Sequence, residues 1–209
     1  MLWQLKIISA GIPYNPVSQV NFVESRLMNK KNLILTSAKT EELSADSRAA
    51  IIDLCIAAHQ ENDFRNLFTY VSAGGWHFLA TLDGQLVSHA MVTTRWLLPE
   101  GLPLLKTAYV DAVATLPEAQ GHGYAGAMMR RLARDIDSTY VIACLETEIE
   151  KFYQSLGWET WRGPLAGRSD QGYLPTPDQR GIMILRLSQT PLLDLKTPLS
   201  IESQGGRIW

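Results

Sequence analysis

The sequence predicts an α/β protein built on one mixed sheet with helices on its faces, in the order β-α-α-β-β-β-α-β-α-β-β. Three observations carry that expectation. Short runs rich in β-branched and aromatic residues alternate with segments of helical apolar spacing. Asp83-Gly84 sits between two β-rich runs and reads as a hairpin turn. A strand, a glycine-bearing loop and an amphipathic segment follow one another from Lys106 to Ile136. Helices covering a mixed sheet are the layered arrangement such an order permits.

Each element has its own reason. Asn32–Ser37 ("NLILTS") reads as the first strand. In "SADSRAAIIDLCIAAHQE", Ile51, Leu54, Cys55 and Ala58 recur at helical spacing, with Ser44 or Asp46 as the N-cap. A second, short helical stretch covers Asp63–Val71, and "WHFLATLDGQLVSHAMVTTRWLL" supplies the hairpin strands. Lys106–Thr115 is the next strand. From Ala125 a helix carries Met128, Leu132 and Ile136 on one face and Arg130, Arg131 and Arg134 on the other. Tyr140–Leu145 is a strand, and "EIEKFYQSLG" a helix closed by Gly157. "WETWRG" and "GIMILRLS" close the series as strands, separated by a polar loop. The tail "TPLLDLKTPLSIESQGGRIW" shows little periodicity, yet ends on a large apolar residue.

Composition narrows the class. The chain has 209 residues, 46% hydrophobic and 19% charged, which suits one globular domain with a full core. A formal charge of -2 gives no basic face for nucleic acid, while a local acidic pocket for a cationic substrate remains compatible. Cys55 and Cys144 make neither a disulfide framework nor a metal knuckle and suit a reducing cytoplasm. His59, His77, His89 and His122 show no ligand spacing, so no metal is expected. The domain is expected over residues 31–209. Residues 1–30 read as a loosely ordered arm or an over-called start, Met28 offering a second one. Their apolar run is broken by Gly11, Pro13 and Pro16, too short for a membrane span and unlike a signal peptide.

Gly121-His122-Gly123-Tyr124-Ala125-Gly126 is literally G-x-G-x-x-G, and Glu146 follows at about the distance of a ribose-binding carboxylate. In a dinucleotide loop, however, the first glycine ends the strand. Here "LPEAQ" intervenes between Thr115 and Gly121, and Pro117 cannot continue a strand ladder. Too little chain follows Gly126 for a doubly wound sheet, and no Lys-Ser/Thr pair makes a P-loop. What the segment retains is a run of backbone N–H groups at a helix N-terminus, a geometry that holds pyrophosphate.

"VDAVATLPEAQGHGYA" resembles motif A of the GNAT N-acetyltransferases, through Gln120, Gly123 and Ala125 after the strand positions Val113 and Thr115. "KFYQSLGW", with Phe152-Tyr153 and then Leu156-Gly157-Trp158, resembles motif B. Within that superfamily the chain is similar to the aminoglycoside 2′-N-acetyltransferases over Lys31 to Trp209, in "LVSHAMVTTRWL", "YVDAVAT", "FYQSLGWETWRGP", "YLPTPDQRGIMIL" and the terminal "GGRIW". Three positions depart from that family's pattern. Asp111 stands for a glutamate, Arg207 for an acidic residue, and no aspartate aligns near Phe68.

The resemblance implies the GNAT fold and acetyl transfer from acetyl-CoA to the 2′-amine of an aminoglycoside. It implies a pyrophosphate cradle from Gln120, Gly121, His122, Gly123, Tyr124 and Ala125, and main-chain pairing of the pantetheine arm with Val113 and Thr115. The Val113 N–H would donate to the thioester oxygen. Asp111 is expected as the base, on the same strand face as Val113 and Thr115, and Tyr153 as the acid on the departing thiolate. Asp178 and Trp209, with its terminal carboxylate, are expected to bind the polycation, Arg207 opposing them. A homodimer is expected by analogy. The alternatives are a GNAT enzyme for another small amine or amino sugar, and an acyl-CoA-binding module without turnover.

Overall fold

Strand β3 (Gln85–Pro99) is the spine of the sheet. Along one edge it pairs with β4 (Leu105–Thr115); along the other it pairs first with β2 (Trp76–Leu82) and then, at Leu97–Pro99, with β10 (Leu199–Glu202). The structure is a computed structural model that describes residues 32–71, 74–204 and 208–209. The expected arm at 1–30 and the expected effect of Arg207 therefore lie outside the described residues.

Strand β1 (Leu33–Lys39) pairs with β2, and helix α1 (Ala45–His59) begins where Ser44 accepts the Ser47 N–H at 3.1 Å. That hydroxyl supplies one of the orphan bonds of a helix start, which fixes Ser44 over Asp46 as the cap. A 3-10 turn at Asn62–Asn66 leads into α2 (Leu67–Tyr70). Asp83 and Gly84 both have positive φ, 50° and 87°, as a tight hairpin requires. Helix α3 (Tyr124–Ile136) buries Met128, Met129, Leu132 and Ile136 against β2 and β3, each contributing about 1.5–3 kcal/mol of apolar burial. Strand β5 (Ile142–Glu146) runs parallel to β4, and α4 (Glu150–Gln154) follows it, ended by Gly157 at φ 91°.

The C-terminal third differs from the expected order. "WETWRG" contributes only β6 (Glu159–Thr160), paired with β9 (Ile182–Arg186). The expected polar loop contains a hairpin, β7 (Leu165–Ser169) with β8 (Gly172–Pro175). The tail contains β10, parallel to β7. These strands escape the sequence pattern for a physical reason. β8 is exposed throughout, so it has no apolar alternation, and β10 is four residues long. The sheet runs β6-β9-β5-β4-β3-β10-β7-β8, with β1 and β2 branching from β3.

Candidate active site

The site starts from a fault in the β3–β4 ladder. His89 pairs with Ala114 and Met91 with Asp111, so Ala112 and Val113 together face Ala90. This is a β-bulge, and Ala112 sits in the left-handed region at φ 48°. The extra residue overturns the expectation that Asp111 and Val113 share a face. Val110 lies in the α3-side core and Val113 packs against it, so these two share a face across three positions. Asp111, next to Val110, points to the other side, where its charge acts on Cys55 of α1.

Strands β4 and β5 pair only at Thr107–Tyr109 with Ile142–Cys144. Beyond that point they part, and a cavity of about 1230 Å³ opens between them. It is lined from β4 by Val110, Asp111, Ala112 and Val113, and from β5 by Leu145 and Glu146. Both faces of the bulged strand therefore reach one cavity, because the strand stands at a split and not within a continuous sheet. Asp111 Oδ1 accepts the Ala112 N–H at 2.8 Å, which points the carboxylate along the bulge.

Just past the C-terminal end of β4, a turn at Pro117–Ala119 leads to the glycines. Gly121 and Gly123 have φ 76° and 81°, and a Cβ on either would meet nothing within 4 Å. Their glycine character answers to backbone conformation, and it leaves the loop open above the N-terminus of α3. Gly121, His122 and Gly123 are exposed, Tyr124 and Ala125 half-buried. Gln120 folds its amide back to donate to the Thr115 carbonyl at 3.2 Å. The Arg130 guanidinium lies 3.6 Å from where a Cβ on Gly126 would be, adding positive charge at the first turn of α3. The loop geometry fits a pyrophosphate, and the open β4 edge fits an extended arm laid beside it.

Tyr153 of α4 lines the cavity, buried against Phe152 and Trp158, and burial pushes its hydroxyl up to about 12. It stays protonated at neutral pH and can give its proton. Among the described residues, the cavity lining also holds Glu61, Asp111, Glu146, Glu148, Glu150 and Asp178, against one arginine, Arg180. Glu146 accepts the Gln179 side-chain amide at 2.6 Å, and the Thr147 N–H donates to the Gly181 carbonyl at 2.9 Å. Gly181 (φ 70°) admits that contact because a Cβ there would sit 1.9 Å from the Thr147 carbonyl oxygen. Loops 146–149 and 176–181 are thus clamped into one acidic wall.

Trp209 is buried in the core cluster that includes Tyr109 and Ile182. Its indole donates to the Thr176 hydroxyl at 3.1 Å, and Thr176 lines the cavity, so Trp209 reaches the site through that residue. Buried Arg95 holds the preceding residue in place. Its guanidinium donates to the Ile208 carbonyl at 2.7 Å, pairs with Glu202 at 3.0 Å and lies over the Tyr109 ring.

Of the expected residues, the cavity lining gathers Asp111, Val113, Tyr153 and Asp178. Thr115 and the Gln120–Ala125 loop lie outside that lining, past Val113 at the C-terminal end of the same strand and in its following turn. Glu61, Glu146, Glu148 and Glu150 were not expected as site residues. The signal for the last three was the alternating "ETEIE", a period of two running past a strand end. Glu61 carries no such signal.

A family model described as an acetyltransferase (GNAT) domain matches residues 39–161. The chain is 27% identical over 203 residues to an aminoglycoside 2′-N-acetyltransferase from Mycolicibacterium fortuitum, covering 95% of this chain and 100% of that one. Among solved structures, a GNAT family N-acetyltransferase from Escherichia coli in complex with CoA has a TM-score of 0.59 at 14% identity, covering 85% of this chain and 94% of that one. A GCN5-related N-acetyltransferase from Kribbella flavida has a TM-score of 0.51 at 17% identity over 63% of this chain. This chain covers 34% of that one, about a third of its length. Both structures share the fold.

Proposed function

The chain belongs to the GNAT acetyltransferases, and on that premise we propose that it transfers the acetyl group of acetyl-CoA to the 2′-amine of an aminoglycoside. The observation that carries the reading is the carboxylate-rich wall sharing one cavity with the bulged edge of β4. A polycation needs fixed negative charge in a cleft, and among the described residues this cavity has six carboxylate residues for one arginine. The relative from Mycolicibacterium fortuitum, similar along nearly the whole chain, supports the same substrate class.

Acetyl-CoA supplies an activated thioester. Amide groups from Gln120 to Ala125 hold its pyrophosphate, and the main chain of Val113 and Thr115 holds its arm as an added strand. Asp111 takes the proton from the substrate ammonium, through one water because its side chain is short. The amine nitrogen then bonds to the thioester carbon while the Val113 N–H donates to the carbonyl oxygen. As the carbon–sulfur bond breaks, Tyr153 gives its proton to the sulfur, and the second proton of the attacking nitrogen leaves for the tyrosinate, giving the amide and restoring Tyr153. Asp178, Glu146 and Glu148 hold the remaining ammonium groups, and Trp209 fixes Thr176 beside them.

The test is thiol release from acetyl-CoA with two aminoglycosides, one carrying a 2′-amine and the other a 2′-hydroxyl. Turnover with the amine alone is expected. Turnover with neither, while acetyl-CoA still binds, would overturn the aminoglycoside reading in favour of another amine.

A further inference from the structure

A buried polar chain runs from Thr40, just after β1, across β2 and β3 to the bulge and is unused by the chemistry above. The Thr40 hydroxyl lies 3.1 Å from His77 Nε2, His77 Nδ1 lies 3.0 Å from His89 Nε2, and His89 Nδ1 lies 3.0 Å from the Ala112 carbonyl oxygen. Both imidazoles are wholly buried.

Hydrogen-bond accounting gives this chain one direction. A carbonyl oxygen only accepts, so His89 carries its proton on Nδ1 and accepts at Nε2. His77 therefore donates from Nδ1 and accepts at Nε2 from the Thr40 hydroxyl. That hydroxyl also lies 3.2 Å from the Gly75 carbonyl oxygen, but only its donation to His77 Nε2 leaves the neutral His77 ring a proton on Nδ1 for His89. Burial pushes His77 down to about 4 and His89 to about 3, so both rings are neutral at neutral pH, as this tautomer pattern needs. Every proton points toward Ala112.

The Ala112 carbonyl belongs to the same peptide unit as the Val113 N–H. In a planar trans peptide the two groups point in opposite directions. Anchoring the carbonyl inward on His89 therefore aims the N–H the other way, at a bulge where Ala112 already sits at φ 48° and the strand ladder no longer fixes the plane. A hydrogen bond at the carbonyl also polarises the N–H across the amide.

We propose that His89, itself oriented by His77 and Thr40, is the positioning residue for the Val113 N–H that meets the thioester oxygen. The inference rests on the acetyl-transfer reading above but not on which amine is the substrate. It differs from a packing role in what it predicts for the Val113 peptide.

The experiment compares His89→Leu with His89→Asn. Leucine fills the space without a donor, whereas the asparagine amide places a donor near the Nδ1 position. His89→Leu is expected to lower kcat about tenfold or more while the Kd for CoA stays within about twofold. Exchange of the Val113 amide hydrogen should rise about two- to tenfold, and the preference for acetyl-CoA over CoA in calorimetry should shrink. His89→Asn should restore most of each. Parental kcat and Val113 exchange in His89→Leu, or an Asn variant no better than the Leu variant, overturns the proposal. Should His89→Leu not fold, His77→Leu takes its place, removing the donor to His89 Nε2, and unchanged Val113 exchange there overturns it equally. If the parent turns over no amine tested, the substrate reading is what has failed. Val113 exchange and the acetyl-CoA preference still decide the role of His89.

Discussion

One side of the cleft is built from backbone, the Ala112–Val113 bulge on β4, with the glycine loop before α3 lying beyond it along the chain, whereas the other is built from side chains on loops 146–149 and 176–181. In the reading proposed above, the backbone side holds the acetyl-CoA common to every reaction of the GNAT family, and main-chain amides at fixed φ and ψ can do so with little dependence on residue type. The side-chain side faces whatever amine is brought to it. Its charge pattern can change while the sheet stays the same. Specificity and activation are thereby separated onto different physical supports, and each can be disturbed without the other.

The strongest disturbance falls between the two. Tyr153→Phe is expected to lower kcat by about 10²–10⁴-fold, with the Kd for CoA unchanged, because only the departing sulfur needs the proton. The parent should show no alkaline loss near pH 10. The acid must be protonated, and burial raises its folded-state value to about 12, so the active form persists as pH rises through the ordinary tyrosine range. A kcat profile falling with a midpoint near 10 would sink the assignment.

Gly181→Ala attacks the side-chain wall alone. The new methyl would sit 1.9 Å from the Thr147 carbonyl oxygen at φ 70°, so the loops must separate. A loss of about 1–3 kcal/mol is expected in denaturant unfolding, with a raised KM for the amine and an unchanged KM for acetyl-CoA. An equal rise in both KM values would show that the two sides are not separable.

Glu148→Gln is the gentlest. It removes one exposed charge from the cavity lining, so KM for a polycationic substrate should rise roughly two- to fivefold at low ionic strength. The difference should fade as salt shortens the screening length. A rise that persists in high salt would mean that shape, not charge, is being read at Glu148.

The same contrast governs what the sequence makes legible. Helix α3 and the glycine loop are contiguous, and their apolar spacing and φ requirements are written locally, so that helix and the turn before it are legible from Gln120–Ile136 alone. The bulge is one residue of phase error that only pairing with β3 exposes, which is why alternation misassigned the face of Asp111. Glu61 joins Asp178 only through tertiary folding, and β10 is too short to show a period. His77 and His89 lie on neighbouring strands, and nothing in their spacing announces that one ring donates to the other.

The placement of β10 bears on how the chain is made. Arg95 and Glu202 are 107 residues apart in sequence, yet they bond across adjacent strands. The ribosome adds roughly 5–20 residues per second, so a nascent chain that has finished β5 waits several seconds before β10 emerges. During that interval Leu97–Pro99 has no partner on its β10 side, an apolar strand edge of the kind that templates association with other chains. Slower elongation or a crowded polysome lengthens this exposure. Yield of soluble protein should therefore respond to expression temperature and to chaperone supply at the stage of synthesis, before the finished fold is at stake.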